Sequence, residues 1–308
     1  MSLPQLERPF LTDGGLETDL IFNHGFDLPE FSSSTMFSSP ERIKALKDYY
    51  RPYLDTAERH GVGFILESPS WRASPDWAPR LGLSRDELEA RNVAAIDMMR
   101  DLRAAYAGRL PIVISGQVGP RGDGYVPGEA MTIEQAREYH RWQAGILAHA
   151  GAEMITAITM TNVNEAAGVA LAAHDAGVPC AISFTVETDG RLPEGVTLGD
   201  AIRAVDAATD SYPAYYMVNC AHPDHFDAVL DADADWAPRL MGLRANASRM
   251  SHAELNEMEV LDDGNPDELG GQHRALMQRF AHLKVLGGCC GTDHRHIAAI
   301  ADQCFPRR

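Results

Sequence analysis

Residues 154–184 have the sequence MITAITMTNVNEAAGVALAAHDAGVPCAISF, which contains one strand–helix–strand unit. The apolar run 154–158 is typical of a strand, and residues 162–176 have the pattern of a helix that stops at Gly177. Glycine is common just past a helix because it tolerates positive φ. A second apolar run, 180–184, follows. Two strands joined by a helix of this length run parallel, since the chain must cross back between them.

The same pattern recurs along the whole chain. Eight strands alternate with eight helices, and the predicted strands are 10–13, 63–67, 112–114, 154–158, 180–184, 215–218, 239–243 and 284–286. Eight such units in 308 residues favour a closed (β/α)8 TIM barrel, an α/β fold that forms one domain over residues 1–308. An open doubly wound sheet is the alternative, but Asp13-Gly14-Gly15 lacks the glycine spacing of its phosphate loop.

Charge and composition exclude several classes of partner. The net charge of −17 disfavours binding to nucleic acid or to an anionic membrane, because both carry negative charge. No apolar run of roughly 18 residues predicts a membrane span, and the first residues lack the pattern of a secretory signal. Five cysteines, an odd number, argue against a disulfide framework. We therefore expect a cytoplasmic protein with reduced thiols.

Three of the cysteines are predicted to meet. Cys220 ends the sixth predicted strand, and the vicinal pair Cys289 and Cys290 ends the eighth. Strand ends of a parallel barrel share one rim, and alternate strands such as the sixth and eighth contribute to the same layer. Neighbouring residues of a regular strand point to opposite faces, so the pair needs an irregular backbone. We expect the flanking glycines at 287, 288 and 291 to provide it.

Three thiolates with an open fourth position are typical of a catalytic zinc site, so we expect one zinc ion per chain. Three thiolates outweigh the charge of Zn²⁺, which makes the centre a weak Lewis acid toward water. Such a centre suits a soft fourth ligand, a small thiol that it holds deprotonated at neutral pH.

The chain resembles the homocysteine S-methyltransferase family over nearly its whole length. The matching motifs are Thr12-Asp13-Gly14-Gly15-Leu16, Gly116-Gln117-Val118-Gly119-Pro120, Val218-Asn219-Cys220 and the segment from Gly287 to Thr292. The resemblance implies a (β/α)8 barrel that methylates homocysteine to methionine on zinc. It implies that Cys220, Cys289 and Cys290 are the zinc ligands and that Asp13 binds the substrate's amino group.

The chain also departs from the family pattern. Ile158 stands where the family has a glutamate that binds the same amino group, and Glu67 is a new carboxylate at the end of the second strand. We hypothesise either that Glu67 replaces the lost glutamate or that the thiol is not homocysteine. Residues 244–248 stand where the family often has Tyr-Pro-Asn-Ser-Gly, and only Asn246 is kept.

The predicted reaction moves a methyl group from a sulfonium or ammonium donor to the thiol, with both partners small molecules. Trp71 is a candidate for holding a cationic donor through its aromatic face. The predicted substrate-binding residues are Asp13, Glu67, Trp71, Asn219 and Asn246. Two alternatives stay open: zinc-dependent lyase or hydrolase chemistry on a sulfur compound, and a non-catalytic metal-binding protein. The sequence leaves open the methyl donor and whether the chain forms a homo-oligomer.

Overall fold

A computed structural model describes residues 3–125, 128 and 130–305. Its strands form one closed parallel barrel in chain order, which confirms the predicted (β/α)8 architecture. The barrel closes where Phe10 of the first strand pairs with Val285 of the last. The strands are β1 (Phe10–Leu11), β2 (Gly63–Glu67), β3 (Ile112–Val118), β4 (Met154–Met160), β5 (Cys180–Phe184), β6 (Tyr215–Asn219), β7 (Leu240–Ala245) and β8 (Val285–Gly288).

One helix of the outer ring follows each strand. These helices are α1 (Pro40–His60), α2 (Arg85–Ala105), α3 (Ile133–Ala150), α4 (Val163–Asp175), α5 (Leu198–Thr209), α6 (Pro223–Phe226), α7 (Pro266–Arg279) and α8 (His294–Cys304). Shorter α-helical segments are Leu16–Thr18, Trp77–Arg80 and His252–Asn256, and a π-helical turn spans Asp19–Asn23. The 3-10 turns are Pro4–Leu6, Pro29–Phe31, Ser33–Ser38, Asp227–Val229 and Ala237–Arg239.

The sixth helix is shorter than its sequence pattern predicts. Residues 222–230 have the sequence pattern of a helix, whereas α6 has four residues and continues as a 3-10 turn. Only Phe226 and Leu230 bury apolar side chains after Pro223, which is too little apolar surface to hold a longer helix against the barrel.

Alternation along the strands builds two separate apolar layers. In β2, Phe64 packs with the cluster that lies between the strands and the helices, whereas Ile65 belongs to a second cluster with Phe10, Met154 and Val285. This second cluster fills the barrel interior, because successive strand residues point to opposite faces. Within the described part of the chain, no helix combines the length and apolarity needed to cross a bilayer.

Two long segments lie at the carboxyl ends of the strands. Residues 12–39 follow β1, and residues 246–265 follow β7. The start of the first is tied to the chain after β8, since the Gly291 amide donates to the Thr18 hydroxyl at 3.1 Å. The fold therefore brings the ends of β1, β7 and β8 together, where barrel proteins build their sites.

Candidate metal centre and substrate cavity

A cavity of about 430 Å³ opens at the carboxyl ends of the strands. Its wall is contributed by both long segments, by residues that follow β2 and β3, and by the ends of β3, β4, β6, β7 and β8. The charged, aromatic and sulfur-bearing residues of the wall include Asp13, Glu17, Trp71, Arg72, Tyr125, Cys220, Arg244, Asp262, Cys289 and Cys290. Ile158 also lines the cavity, so the position where the family has a glutamate is apolar here.

The structure brings the three predicted cysteine ligands together. The ligand atoms of Cys220, Cys289 and Cys290 lie within 4.8 Å of one another, and the sulfurs of Cys220 and Cys290 are 3.9 Å apart. Three sulfurs around a tetrahedral zinc at about 2.3 Å would be about 3.8 Å apart. The donor set and the separation of the Cys220 and Cys290 sulfurs therefore fit a zinc ion bound on one side by protein.

Cys289 and Cys290 can both direct their sulfurs to the same site because β8 ends before them. The strand stops at Gly288, so Cys289 and Cys290 lie in the turn that follows, where Gly291 has φ +80°. The expectation that all three glycines relax the backbone is correct for Gly291 alone. A Cβ at Gly287 would collide with Thr12, and one at Gly288 with Thr292, so these two glycines provide space.

Cys220 also leaves its strand in an unusual conformation. Its φ of 54° is uncommon for a residue with a side chain. Its carbonyl accepts from His252 Nε2 at 2.7 Å, which anchors this backbone from the long segment after β7. Backbone conformations of this kind cluster at functional sites, where the surrounding structure holds them in place.

The structure joins Cys220 to Cys289 as a disulfide. The expectation that the cysteines are free thiols is therefore wrong for this pair, and Cys180, Cys290 and Cys304 are free. The Cα atoms of the pair are 5.3 Å apart, a separation that a disulfide requires and that two ligands of one metal ion also satisfy. The two states exclude each other, because a sulfur shared in a disulfide is no longer a thiolate ligand.

Tyr125 lies over the third cysteine. Its hydroxyl is 3.3 Å from the sulfur of Cys290, and its ring stacks on His252 at a centroid distance of 4.1 Å. Burial raises the pKa of the Cys290 thiol, while the Tyr125 hydroxyl opposes that rise. Burying a thiolate without a counter-charge is costly, so a divalent cation in contact with the sulfur would supply what this environment lacks.

Asp13 lies on the cavity wall, but protein groups already occupy its carboxylate. Arg244 Nη2 donates to Oδ1 at 2.7 Å, and the Tyr49 hydroxyl is 3.2 Å from Oδ2. Arg244 also donates to the carbonyls of Gly14 and Gly288. The guanidinium at the end of β7 thus holds the carboxylate at the end of β1.

Glu67 faces the same guanidinium from inside the barrel. Its Oε1 is 3.9 Å from Arg244 Nη1, and it is 2% exposed, outside the cavity wall. Neither of its oxygens has a hydrogen-bond partner among the described residues. Burial raises the pKa of this carboxyl to about 7, against the opposing effect of Arg244. Glu67 therefore stands behind Arg244 and does not face the cavity.

Asn219 and Asn246 are likewise buried outside the cavity wall. Asn219 Oδ1 accepts from the Thr159 amide at 2.9 Å and from the Ser183 hydroxyl at 2.6 Å. Its amide nitrogen is 3.8 Å from the sulfur of Cys289. Thr159 has φ 64°, so Asn219 holds an irregular end of β4 beside the cysteines. Asn219 therefore positions the backbone next to the cysteines and does not contact a substrate in the cavity.

Trp71 lines the cavity as predicted, but one neighbour already provides a cation. The Arg72 guanidinium lies 4.8 Å from the Trp71 ring and 4.6 Å from the Trp77 ring. The Trp71 indole donates to the carbonyl of Ile158 at 3.3 Å. Because Arg72 occupies the cation–π position over Trp71, a cationic donor has no access to that face of the ring.

The sequence interpretation missed Arg244, Arg72 and Tyr125. For Arg244 a signal was present, since Asp13 and Glu67 at neighbouring strand ends require a counter-charge inside the barrel. Tyr125 follows a Gly-rich stretch, Gly122-Asp123-Gly124, which is typical of a loop. Nothing in the local sequence indicates that its hydroxyl would reach Cys290.

The sequence is similar to that of known methyltransferases. The family model for homocysteine S-methyltransferase matches residues 10–304. Homocysteine S-methyltransferase 4 from Zea mays is 29% identical over 314 residues, which cover 94% of this chain and 88% of the maize protein.

Two solved structures share the fold. The oxidised form of the homocysteine methyltransferase MmuM from Escherichia coli superposes with a TM-score of 0.73 at 21% identity, covering 96% of each chain. The metallated form superposes with a TM-score of 0.72 at 19% identity, again covering 96% of each chain. At these identities the likeness establishes a common barrel.

Proposed function

Because the chain belongs to the homocysteine S-methyltransferase family, we propose that it methylates homocysteine to methionine at a zinc ion bound by three cysteines. The single observation that carries the proposal is the cluster of Cys220, Cys289 and Cys290 on the wall of a cavity at the catalytic face of the barrel. Three sulfur donors leave one coordination position for a substrate, as in catalytic zinc sites.

Zinc bound there would lower the pKa of the acceptor thiol and so supply a nucleophile at neutral pH. The chain's own residues hold and enclose the reactants. The sulfurs of the three cysteines fix where the acceptor lies, and Tyr125 and the long segments cover the site. Enclosure excludes water from a reaction in which water would compete for the methyl group.

The reaction is an in-line displacement on the methyl carbon of the donor. The acceptor sulfur forms the new bond to carbon, and the bond from carbon to the donor's sulfur or nitrogen breaks. The donor leaves with the bonding electron pair as a neutral thioether or amine, so no protein group has to protonate it. The thiol proton goes to solvent when the acceptor binds. Alignment of the two substrates is therefore the protein's main contribution.

The proposal includes the setting in which the chain works. Residues 1–308 form one functional barrel domain that acts on small molecules. Three thiolates must stay reduced to bind the metal, and the disulfide between Cys220 and Cys289 would prevent this. A reducing compartment, the cytoplasm, meets that requirement.

A methyl-transfer assay tests the proposal. Reduced, zinc-replete protein is incubated with homocysteine and, in separate reactions, S-methylmethionine, betaine, methylfolate or methylcobalamin carrying a deuterated methyl group. Mass spectrometry then follows the labelled methyl group into methionine. We expect labelled methionine with at least one donor, no activity in Cys290→Ser, and full activity in Cys304→Ser, whose cysteine lies outside the cavity wall. Zinc-replete protein that transfers no methyl group to homocysteine from any donor contradicts the proposal.

A further inference from the structure

The cavity must bind at least one positive charge, and Asp13 does not offer a carboxylate for it. The inference drawn here rests on the proposed function, in which a sulfonium or ammonium donor reacts with an acceptor that carries an ammonium group. Arg244 and Tyr49 engage both oxygens of Asp13, which is 3% exposed. Displacing Arg244 from Asp13 would leave a buried guanidinium without its hydrogen-bonded carboxylate.

The other carboxylates near the cavity are engaged or turned away, with one exception. Glu67 faces Arg244 outside the wall, and Asp123 forms an ion pair with Arg72 at 3.1 Å. Asp262 accepts from the Ser248 hydroxyl at 2.6 Å and from the Gly264 amide at 3.1 Å. Each of these carboxylates already faces a group of the protein.

Glu17 is the exception. It lines the cavity and is partly exposed, and its carboxyl interacts with the Ser33 side chain, but it forms no ion pair within 4.0 Å in the part of the chain that the structure describes. Glu17 lies between Gly15 and Thr18 in the chain. The Thr18 hydroxyl donates to the Gly15 carbonyl at 2.9 Å and accepts from the Gly291 amide. This anchoring keeps Glu17 beside the cysteine turn.

We propose that Glu17 binds the cationic group of a substrate in this cavity, in place of Asp13, which Arg244 holds. The cationic group is either the ammonium of the acceptor or the sulfonium or ammonium of the donor. A carboxylate in a partly enclosed cavity attracts each of them by charge, and it can also accept a hydrogen bond from the ammonium of the acceptor.

Steady-state kinetics of the zinc-loaded Glu17→Gln variant test the proposal, with each substrate varied in turn. Loss of a contact to a charged group predicts that KM for the cation-bearing substrate rises roughly tenfold or more, with kcat nearly unchanged. Glu257→Gln is the matched control, because Glu257 is exposed near the cavity mouth but does not line the wall. We expect its kinetic constants to equal those of the parent.

The two sources of the cation give different results. If Glu17 binds the acceptor's ammonium, KM rises for homocysteine but not for 4-mercaptobutanoate, which lacks the amino group. If it binds the donor, only the donor's KM rises. An active Glu17→Gln enzyme whose KM values for homocysteine and donor both match the parent overturns the proposal. Failure of the proposed function looks different, since the unsubstituted enzyme would then transfer no methyl group to homocysteine.

Discussion

Glu67 is buried against Arg244 inside the barrel, and the substitution Glu67→Gln should make the stability of the fold less dependent on pH. Burial raises the pKa of this carboxyl from an ordinary value of 4.5 to about 7. The folded protein therefore binds the Glu67 proton more tightly than the unfolded chain does. Raising the pH through 7 ionises a group that the fold prefers neutral, so the contribution of Glu67 to stability falls.

The magnitude follows from the two pKa values. A difference of one pKa unit corresponds to about 1.36 kcal/mol, so full ionisation of Glu67 costs the fold about 3 kcal/mol. Most of this cost, about 2–3 kcal/mol, appears between pH 5 and pH 8. Glutamine has nearly the same shape and does not titrate. We therefore expect the variant to gain about 2–3 kcal/mol of unfolding free energy relative to the parent over that interval.

Denaturant unfolding of the metal-free, reduced proteins at pH 5 and pH 8 measures this difference. Glu89→Gln is the control, because Glu89 is exposed and its substitution should leave the pH dependence unchanged. A difference between variant and parent that stays constant with pH would refute the reasoning. A variant that loses stability relative to the parent as the pH rises would show that Arg244 holds Glu67 ionised.

Three further substitutions test the surroundings of the cysteines. Arg244→Met leaves the buried carboxylate of Asp13 without its cation, so we expect the free energy of unfolding to fall by about 3–5 kcal/mol; unchanged stability in denaturant titrations would contradict the pairing. Tyr125→Phe removes the hydroxyl beside Cys290 and should weaken zinc binding about tenfold in chelator competition, with an unchanged number of ions bound. Asn219→Ala removes the acceptor of the Thr159 amide, so we expect the free energy of unfolding to fall by about 2 kcal/mol in denaturant titrations. Methyl transfer should fall as well. A free energy of unfolding and an activity equal to those of the parent would assign Asn219 no role.

The sequence was sufficient to predict the barrel because its signals are local and repeated. Each strand is a short apolar run, and glycines end the helices: Gly61 and Gly151 both take positive φ just past α1 and α3, as their positions predict. The convergence of Cys220 with Cys289 and Cys290 also followed, because topology alone places the ends of β6 and β8 at one rim.

The charges around the cavity could not be predicted in the same way. Whether a carboxylate meets a substrate or a protein cation depends on side chains that come from distant parts of the chain. Asp13 and Arg244 are 231 residues apart, yet their side chains are joined by a hydrogen bond of 2.7 Å. The disulfide between Cys220 and Cys289 was missed for a related reason. The odd number of cysteines says nothing about two sulfurs that topology brings to one point.

Zinc content of the reduced protein tests the central claim most directly. We predict one zinc ion per chain by inductively coupled plasma mass spectrometry, and loss of that ion in each of Cys220→Ala, Cys289→Ala and Cys290→Ala with the circular dichroism of the barrel retained. Cys304→Ala, which alters a cysteine outside the cavity wall, should keep its zinc. A full complement of zinc in any of the first three variants would contradict the assignment of the three cysteines as the metal site.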